Sequence, residues 1–322
     1  MKKVGIICGG FSSEYDISVK SGMNILNNFP DSFKPYLILL KSDGWFLQES
    51  NENLLPFNPG DFSCYTKDEN IQIDLAIVYI HGDPGENGKI QAYLEMINIP
   101  YVNSGPLASQ LSFDKWYCNQ FLRGFGINVA RSVYLKNSNQ TVATEKIINE
   151  LELPVFVKPC DSGSSYGIVK VNTEEELIPA VEKAFGEGRT VIIERFLDGK
   201  EVTCGVYRTL DGPVALPLTE IVSEKDFFDY EAKYEGLSQE ITPARISVEL
   251  TKKVQQLSIE IYELLQLRSI SRIDFMIVEN VLYVIEVNTT PGFSKESIVP
   301  KMIGASDKSL KEFWTEIMAA EI

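Results

Sequence analysis

Two short segments near the end of this chain carry the residue types best suited to chemistry, Arg272-Ile273-Asp274 and Glu286-Val287-Asn288. Side chains alternate faces along a strand, so Arg272 and Asp274 share one face while Ile273, Phe275 and Ile277 share the other. On the second segment Glu286 and Asn288 lie opposite Val287, Ile285 and Tyr283. A hairpin that pairs Asp274 with Glu286 also sets Arg272 opposite Asn288 and matches the apolar residues behind them. A strict two-residue turn at Glu279-Asn280 would shift the pairing by one and send Asp274 to the apolar side, so a three-residue loop or a bulge is expected. Two carboxylates and an amide oxygen on one face are hard ligands that suit Mg²⁺ bound together with phosphates. The arginine beside them can hold an anion. The plainer reading is a solvated sheet face with cross-strand pairs, although such faces are usually richer in Lys and Thr.

A second group follows Lys158-Pro159, where Cys160-Asp161-Ser162-Gly163-Ser164-Ser165-Tyr166-Gly167 forms a Gly/Ser loop. Such a loop can offer backbone N–H groups and hydroxyls to phosphates, with the lysine at its base supplying charge. It is not the G-x-x-x-x-G-K-[ST] pattern, so a P-loop is excluded, and a turn between two strands is the commoner meaning of such a stretch. At Glu194 to Glu201 a buried strand ends and turns. Backbone beside Phe196 could hold a purine and Glu201 could accept from ribose hydroxyls, yet the same residues read equally well as a strand exit with a packed aromatic. Glu14 and His81 stand on loops at the carboxyl ends of strands, where open α/β sheets bind ligands. Their plainer roles are a helix cap and a hydrogen-bonded structural histidine.

The elements that must position these residues read as follows. Val4 to Cys8, then Gly9-Gly10, then a helix near Ile17 to Leu26 is the opening unit of an open α/β domain, and Leu75 to Ile80 is a second buried strand. Residues 101–106 break the pattern as a domain junction, followed by a helix from about Ala108 to Phe125 that contains Asp114-Lys115. Alternating strands come next at Pro154–Lys158, Gly167–Val171 and Val191–Glu194, with a helix at Glu174–Phe185. A strand at Val202–Tyr207, an irregular stretch from Ser223 to Pro243, a helix from about Val248 to Leu265 and the 272–288 hairpin complete the chain. Repeats and low-complexity linkers are absent, so the parts are expected to pack together.

Composition narrows the partners. The 322 residues are 44% hydrophobic and 23% charged, which fits a packed globular protein of two or three domains. Thirty Lys and Arg against 45 Asp and Glu give a net charge of -15, which repels an extended phosphate backbone, so nucleic acid is not expected as a partner. Apolar stretches are far shorter than the ~20 residues of a membrane span, and the first one ends at Gly9-Gly10, too soon for a signal peptide. A cytoplasmic location with no membrane contact is expected. Five scattered cysteines indicate neither a disulfide framework nor a zinc site, and a single histidine, His81, excludes zinc held by several imidazoles. Catalysis must fall to carboxylates, lysines, arginines and hydroxyls.

Taken in order, Gly9-Gly10-Phe11-Ser12-Ser13-Glu14, His81-Gly82 with Gly85-Glu86-Asn87-Gly88 and Gln91, Asp114-Lys115, Lys158-Pro159 with Gly163-Ser164-Ser165, Glu194 to Glu201, residues 229–234, Arg272-Ile273-Asp274 and Glu286 to Phe293 resemble the D-alanine–D-alanine ligase family of the ATP-grasp superfamily. The resemblance implies an α/β protein, α+β in parts: a three-domain ATP-grasp fold with an N-terminal Rossmann-like open parallel sheet. Its divisions fall at 1–103, 104–196 and 197–322. It implies ATP gripped between the second and third domains, with Lys115, Lys158 and Ser165 at the phosphates and Glu194, Phe196, Leu197 and Glu201 at adenine and ribose. Asp274, Glu286 and Asn288 would hold two Mg²⁺ ions, with room for Mn²⁺ instead and for an activating monovalent cation. Glu14, with Ser164 and Tyr234, would take the ammonium of the first D-alanine, and His81 would lie near its carboxylate. Lys233, Ser297 and the Ile298 N–H would hold the second. Arg272 and the Gly292 N–H would stabilise the oxyanion formed when the second amine attacks a D-alanyl phosphate. A homodimer through the first domain is implied as well.

Three positions depart from the family pattern: Asn87 in place of Asp, Asn119 where a lysine often follows, and Ser294 for the commoner Thr. Tyr234 favours an amine acceptor, with D-serine left open beside D-alanine. Another ATP-grasp ligase would keep the magnesium and ATP residues but lack the set of Glu14, Ser164 and Tyr234. A non-catalytic nucleotide-binding regulator would have lost Arg272, Asp274 or Glu286.

Overall fold

A computed structural model describes residues 1–50, 53–67, 69–139, 142–163, 166–223 and 238–322. Four of the residues singled out above, Ser164, Ser165, Lys233 and Tyr234, lie outside these described residues.

The first sheet holds strands β1 (Lys2–Gly9), β2 (Phe33–Lys41), β3 (Gly44–Gln48), β4 (Leu54–Pro56), β7 (Leu75–Val78) and β8 (Tyr101–Val102), in the order β4-β3-β2-β1-β7-β8; β5 (Ser63–Tyr65) and β6 (Asn70–Gln72) pair separately. Its centre is parallel, as expected, but β2, β3 and β4 run antiparallel at one edge. A tight return at Ser42-Asp43 makes that edge, since a hairpin needs only a short turn whereas a parallel neighbour needs a crossover. Strand β1 has its sequence neighbour β2 on one side and β7 on the other. Sheet order therefore switches at β1, and the loops leaving β1 and β7 open a crevice there. Gly9 and Gly10 take φ of +94° and +102° in the first of these loops, which L side chains rarely adopt. Ser12 Oγ donates to the His81 carbonyl at 2.8 Å and so ties the two loops together.

Helix α1 (Tyr15–Asn27) follows the first loop, and α2 (Lys89–Met96) follows the second. The single helix expected from about Ala108 to Phe125 is two, α3 (Pro106–Phe113) and α4 (Lys115–Gly124). Asp114 breaks it: its backbone is extended, and its carboxylate accepts from the N–H groups of Trp116 and Tyr117 as the cap of α4.

The second sheet, in the order β11-β10-β12-β9, is built from β9 (Ser132–Leu135), β10 (Val155–Pro159), β11 (Val169–Val171) and β12 (Val191–Arg195), backed by α5 (Thr144–Leu151) and α6 (Leu177–Glu187). The third contains β13 (Lys200–Thr209), β14 (Gly212–Ala215), β15 (Thr219–Ser223), β16 (Ser238–Ile241), β17 (Ile270–Val278) and β18 (Val281–Asn288), with α7 (Val248–Leu264) packed against it. Strand β16 lies within the stretch expected to be irregular. The chain closes with α8 (Ile298–Gly304) and α9 (Leu310–Glu321).

The cores cross these sheets. Val4, Ile6 and Tyr79 of the first sheet pack with Phe293, Met302, Phe313 and Trp314 from the end of the chain. Cys118 and Leu122 of α4 pack with Val202, Ile273 and Phe275 of the third sheet. Leu135, Ile147, Val155, Leu177 and Ile193 form a separate cluster within the second sheet and its helices. Each large buried side chain removed from water contributes about 1.5–3 kcal/mol, so the first and third sheets are held together by burial from both. All five cysteines are buried and unpaired. Among the described residues no helix is long and apolar enough to cross a membrane.

Glu220 of β15 fastens the segment after β16. Its carboxylate accepts from Arg245 Nε at 2.9 Å, Arg245 Nη2 at 3.1 Å and Lys200 Nζ at 2.8 Å. The Arg245 guanidinium, aided by Lys200 and opposed by burial, holds this carboxyl down from 4.5 to about 2. A depressed folded-state pKa contributes stability above the unfolded value and loses it as pH falls toward the folded one. Equilibrium unfolding from pH 6 down to pH 2 is therefore expected to show stability falling across that window. Glu220→Gln should be less stable at pH 6 and show a shallower fall; parallel curves for the two proteins would refute the assignment.

Candidate active site

The 270–288 hairpin combines two features that the sequence presents as alternatives. Glu279 and Asn280 form a two-residue turn, both at positive φ, and Val278 pairs with Val281. A bulge then shifts the register between Asp274 and Phe275, so Asp274 pairs with Glu286 and Arg272 with Asn288. Ile285 is the extra residue. The expectation that Ile285 and Tyr283 share the apolar face with Val287 is corrected: beyond the bulge, Val284 opposes Phe275 and Leu282 opposes Ile277, and these face the core. One added residue reverses strand parity, which is how a short turn and a polar ligand face coexist.

On that face Arg272 grips Asp274, Nε to Oδ1 at 2.8 Å and Nη2 to Oδ2 at 2.7 Å. Thr203 Oγ1 of β13 donates to Oδ1 at 2.5 Å, and Asn288 Nδ2 donates to Oδ2 at 3.2 Å. Burial presses the Arg272 pKa down, but Asp274 and Glu286 outweigh it and hold the guanidinium above its ordinary range. Four donors fill the acceptor positions of Asp274, which is 6% exposed. Glu286 and Asn288 instead face the cavity, Glu286 with Lys115 Nζ 3.7 Å away. The Asn288 amide nitrogen is committed to Asp274, which leaves its Oδ1 as the acceptor.

These donors fit magnesium on one condition. Among the described residues there is no cluster of three His, Cys, Asp or Glu side chains able to hold a metal. Glu286, Asn288 and Asp274 supply two carboxylates and an amide, too few for a self-standing cage but the usual share for Mg²⁺ that arrives with nucleotide phosphates. Asp274 would join such a site only by giving up its bond from Asn288.

A cavity of about 690 Å³ brings together Glu14, His81, Lys115, Arg272, Glu286, Asn288, Gly292, Ser297 and Ile298. Glu14 is the N-cap residue of α1, but its side chain makes no hydrogen bond to the helix end. Gly163 crosses close above it, where an added Cβ would fall 2.5 Å from Glu14 Oε2. His81 is buried, with Nε2 3.1 Å from Ser21 Oγ, and Ser21 Oγ also accepts the Phe293 N–H. Burial is the main reason that the His81 pKa falls, against the pull of Glu14, so the ring is neutral at pH 7. Ser297 Oγ accepts from the Ser294 N–H at 3.0 Å, which sets the loop before α8. Lys115 Nζ donates to the Ser162 carbonyl at 2.9 Å and braces the Gly/Ser loop.

Lys158, Glu194, Phe196, Leu197 and Glu201 do not line that cavity; they lie where β10, β12 and β13 meet. Lys158 Nζ donates to Glu194 Oε2 at 2.7 Å. Burial lowers the Lys158 pKa, but the charges of Glu194, Glu286 and Glu201 outweigh it and hold the lysine above its ordinary value. Lys158 is therefore within electrostatic reach of both Glu194 and Glu286. Phe196 packs at 5.8 Å from Phe156, and Lys170 Nζ sits 4.5 Å over the Phe196 ring.

Three groups at the site received no role from the sequence. Thr203 sits opposite Asp274 across β13 and β17, a neighbour that only strand order reveals. Glu86 lines the cavity and accepts the Gly82 N–H at 2.8 Å. Burial, then the charges of Glu14 and Glu286, push it up to about 8. Its place in Gly85-Glu86-Asn87-Gly88, four residues after Gly82, was the available signal. The third is Asn119, whose Nδ2 donates to Glu194 Oε1 at 2.9 Å.

Comparison with known proteins agrees over the whole chain. A family model described as D-ala D-ala ligase N-terminus matches residues 3–104, and one described as D-ala D-ala ligase C-terminus matches residues 121–319. A D-alanine--D-alanine ligase of Azobacteroides pseudotrichonymphae is 44% identical over 321 residues, covering 99% of each chain. Another from Porphyromonas gingivalis is 43% identical over 316 residues, covering 97% of this chain and 96% of that one. Among solved structures, the VanG D-Ala:D-Ser ligase from Enterococcus faecalis has a TM-score of 0.88 at 31% identity, covering 100% of this chain and 99% of that one. A D-alanine--D-alanine ligase from Bacillus anthracis complexed with ATP has a TM-score of 0.79 at 27% identity, covering 100% and 97%.

Proposed function

The chain belongs to the D-alanine–D-alanine ligase family, an ATP-dependent ligase that joins two D-alanines for peptidoglycan synthesis, and from that premise we propose how its residues divide the work. The observation that carries the reading is that Arg272, Glu286 and Asn288 face the same cavity as Glu14 and His81. A phosphoryl-transfer end and an amino-acid end thus share one space.

A carboxylate is a poor acyl donor, so the carboxylate oxygen of the first D-alanine attacks the γ-phosphorus of ATP, giving D-alanyl phosphate and ADP. Glu14, with Ser164 and Tyr234, holds the ammonium of that D-alanine, and neutral His81 lies by its carboxyl end. Lys233, Ser297 and the Ile298 N–H hold the carboxylate of the second. Its neutral amine attacks the acyl carbon, the oxyanion forms against Arg272 and the Gly292 N–H, and as the carbonyl returns the phosphate leaves as hydrogen phosphate, taking up the proton that the nitrogen releases. Lys115, Lys158 and Ser165 neutralise the phosphates, while Glu194, Phe196, Leu197 and Glu201 hold adenine and ribose between the 104–196 and 197–322 lobes. Asp274, Glu286 and Asn288 hold two Mg²⁺ ions, or Mn²⁺, which when bound offset the charge on the transferring phosphoryl group. Water exclusion protects the acyl phosphate. Use of cellular ATP assigns the reaction to the cytoplasm, and a homodimer through residues 1–103 is tested by sedimentation.

Phosphate release from ATP and magnesium, with D-alanine alone or paired with D-serine or D-lactate, tests the assignment. Release should need D-alanine, yield D-alanyl-D-alanine and be absent with L-alanine. Tight ATP binding without turnover of any D-amino acid would sink it. D-serine belongs in the assay because a D-Ala:D-Ser ligase shares this fold at a TM-score of 0.88.

A further inference from the structure

We propose that Asn119 is a positioning residue for nucleotide-base selection: its amide keeps Glu194 aimed at the base while Lys158 moves from Glu194 to the phosphates. The proposal rests on the reading above that Glu194 meets adenine and Lys158 meets phosphate.

The geometry is an array of two buried groups, Asn119 and Glu194, and the partly buried Lys158. Asn119 is 2% exposed and Glu194 is 5% exposed. Asn119 Nδ2 lies 2.9 Å from Glu194 Oε1, and Lys158 Nζ lies 2.7 Å from Oε2. A carboxylate only accepts hydrogen bonds, so the amide atom facing it must be the nitrogen. Lys115, whose Nζ is 3.7 Å from Glu286, stands one helical turn earlier on the same face of α4. A single rigid turn therefore sets the spacing between the phosphate end and the base end.

When Lys158 turns toward a phosphate, Glu194 gives up its cation. A buried carboxylate left without donors is costly, and Asn119 supplies a donor that stays. Because that donor is neutral, it fixes the direction of Glu194 without cancelling its charge. The oriented carboxylate then favours a base bearing an amine donor and repels one bearing a carbonyl at the same place. Mere attachment of α4 to the second sheet would use the same hydrogen bond, but it would carry no base preference.

The experiment compares ATP with inosine triphosphate, which carries a 6-oxo acceptor where ATP carries a 6-amino donor, using the full chain with magnesium and saturating D-alanine. Asn119→Leu, close in volume and lacking the donor, is expected to raise KM for ATP about tenfold, with the loss falling on KM for the nucleotide and not on KM for D-alanine. The ATP-to-ITP ratio of kcat/KM should shrink by a similar factor, and Asn119→Gln should recover part of it. An unchanged ratio in Asn119→Leu, whatever happens to KM, overturns the proposal. If circular dichroism shows that variant unfolded, Asn119→Ser decides on the same ratio. Glu194→Gln separates the layers: a ratio unmoved by that change sinks the reading of Glu194 itself, whereas one moved by Glu194→Gln but by neither Asn119 variant sinks only the role of Asn119.

Discussion

Arg272→Met is expected to lower turnover by about a thousandfold and, separately, to destabilise the protein by about 3–5 kcal/mol. Two distinct losses are involved. In the proposed reaction the guanidinium meets the oxyanion, and removing one such donor typically costs 10²–10³ in rate. In the fold, the same guanidinium makes two of the four hydrogen bonds to Asp274, which is 6% exposed. Truncating it leaves a buried carboxylate with Thr203 and Asn288 alone. The double variant Arg272→Met with Asp274→Asn removes the stranded charge and should regain much of the stability but none of the turnover. Denaturant unfolding read beside steady-state rates checks both halves. A single variant that keeps its rate within tenfold, or a double variant that regains activity, would count against the assignment of the oxyanion to Arg272.

Glu286→Gln should lower turnover by about a thousandfold, near 4 kcal/mol of barrier, with little change in stability. The side chain of Glu286 is 26% exposed and its ion pair with Lys115 spans 3.7 Å, and such partly solvated pairs contribute ~1 kcal/mol or less to stability. Lys115 keeps its bond to the Ser162 carbonyl in either case. The discriminating readout is the magnesium titration. A metal ligand reduced from carboxylate to amide should shift half-maximal activation to higher magnesium and recover part of the rate there, whereas a residue that only shapes the cavity should leave the midpoint unmoved. An unchanged midpoint with a rate within tenfold would remove Glu286 from the metal site.

Much of this site was legible before folding, because the relevant rules are local. Alternation along β17 and β18 was enough to group Arg272 with Asp274 and Glu286 with Asn288, and the parity argument at Glu279-Asn280 required a bulge or a longer loop. Glycines after β1 and loops at strand ends marked the positions from which Glu14 and His81 line one cavity. Relations through space were not legible. Strand order alone sets Thr203 beside Asp274, and together with Arg272 and Asn288 it fills that carboxylate, leaving Glu286 and Asn288 to face the cavity. Asp114 divides one apolar-periodic stretch into two helices because its carboxylate caps the second, an outcome that periodicity does not register. Asn119 read only as a departure from the family pattern, and the packing of α4 between two sheets brings it to Glu194. Periodicity along a chain determines which side chains share a face, whereas the free valences of each polar group depend on neighbours distant in sequence, and those are decided by tertiary packing.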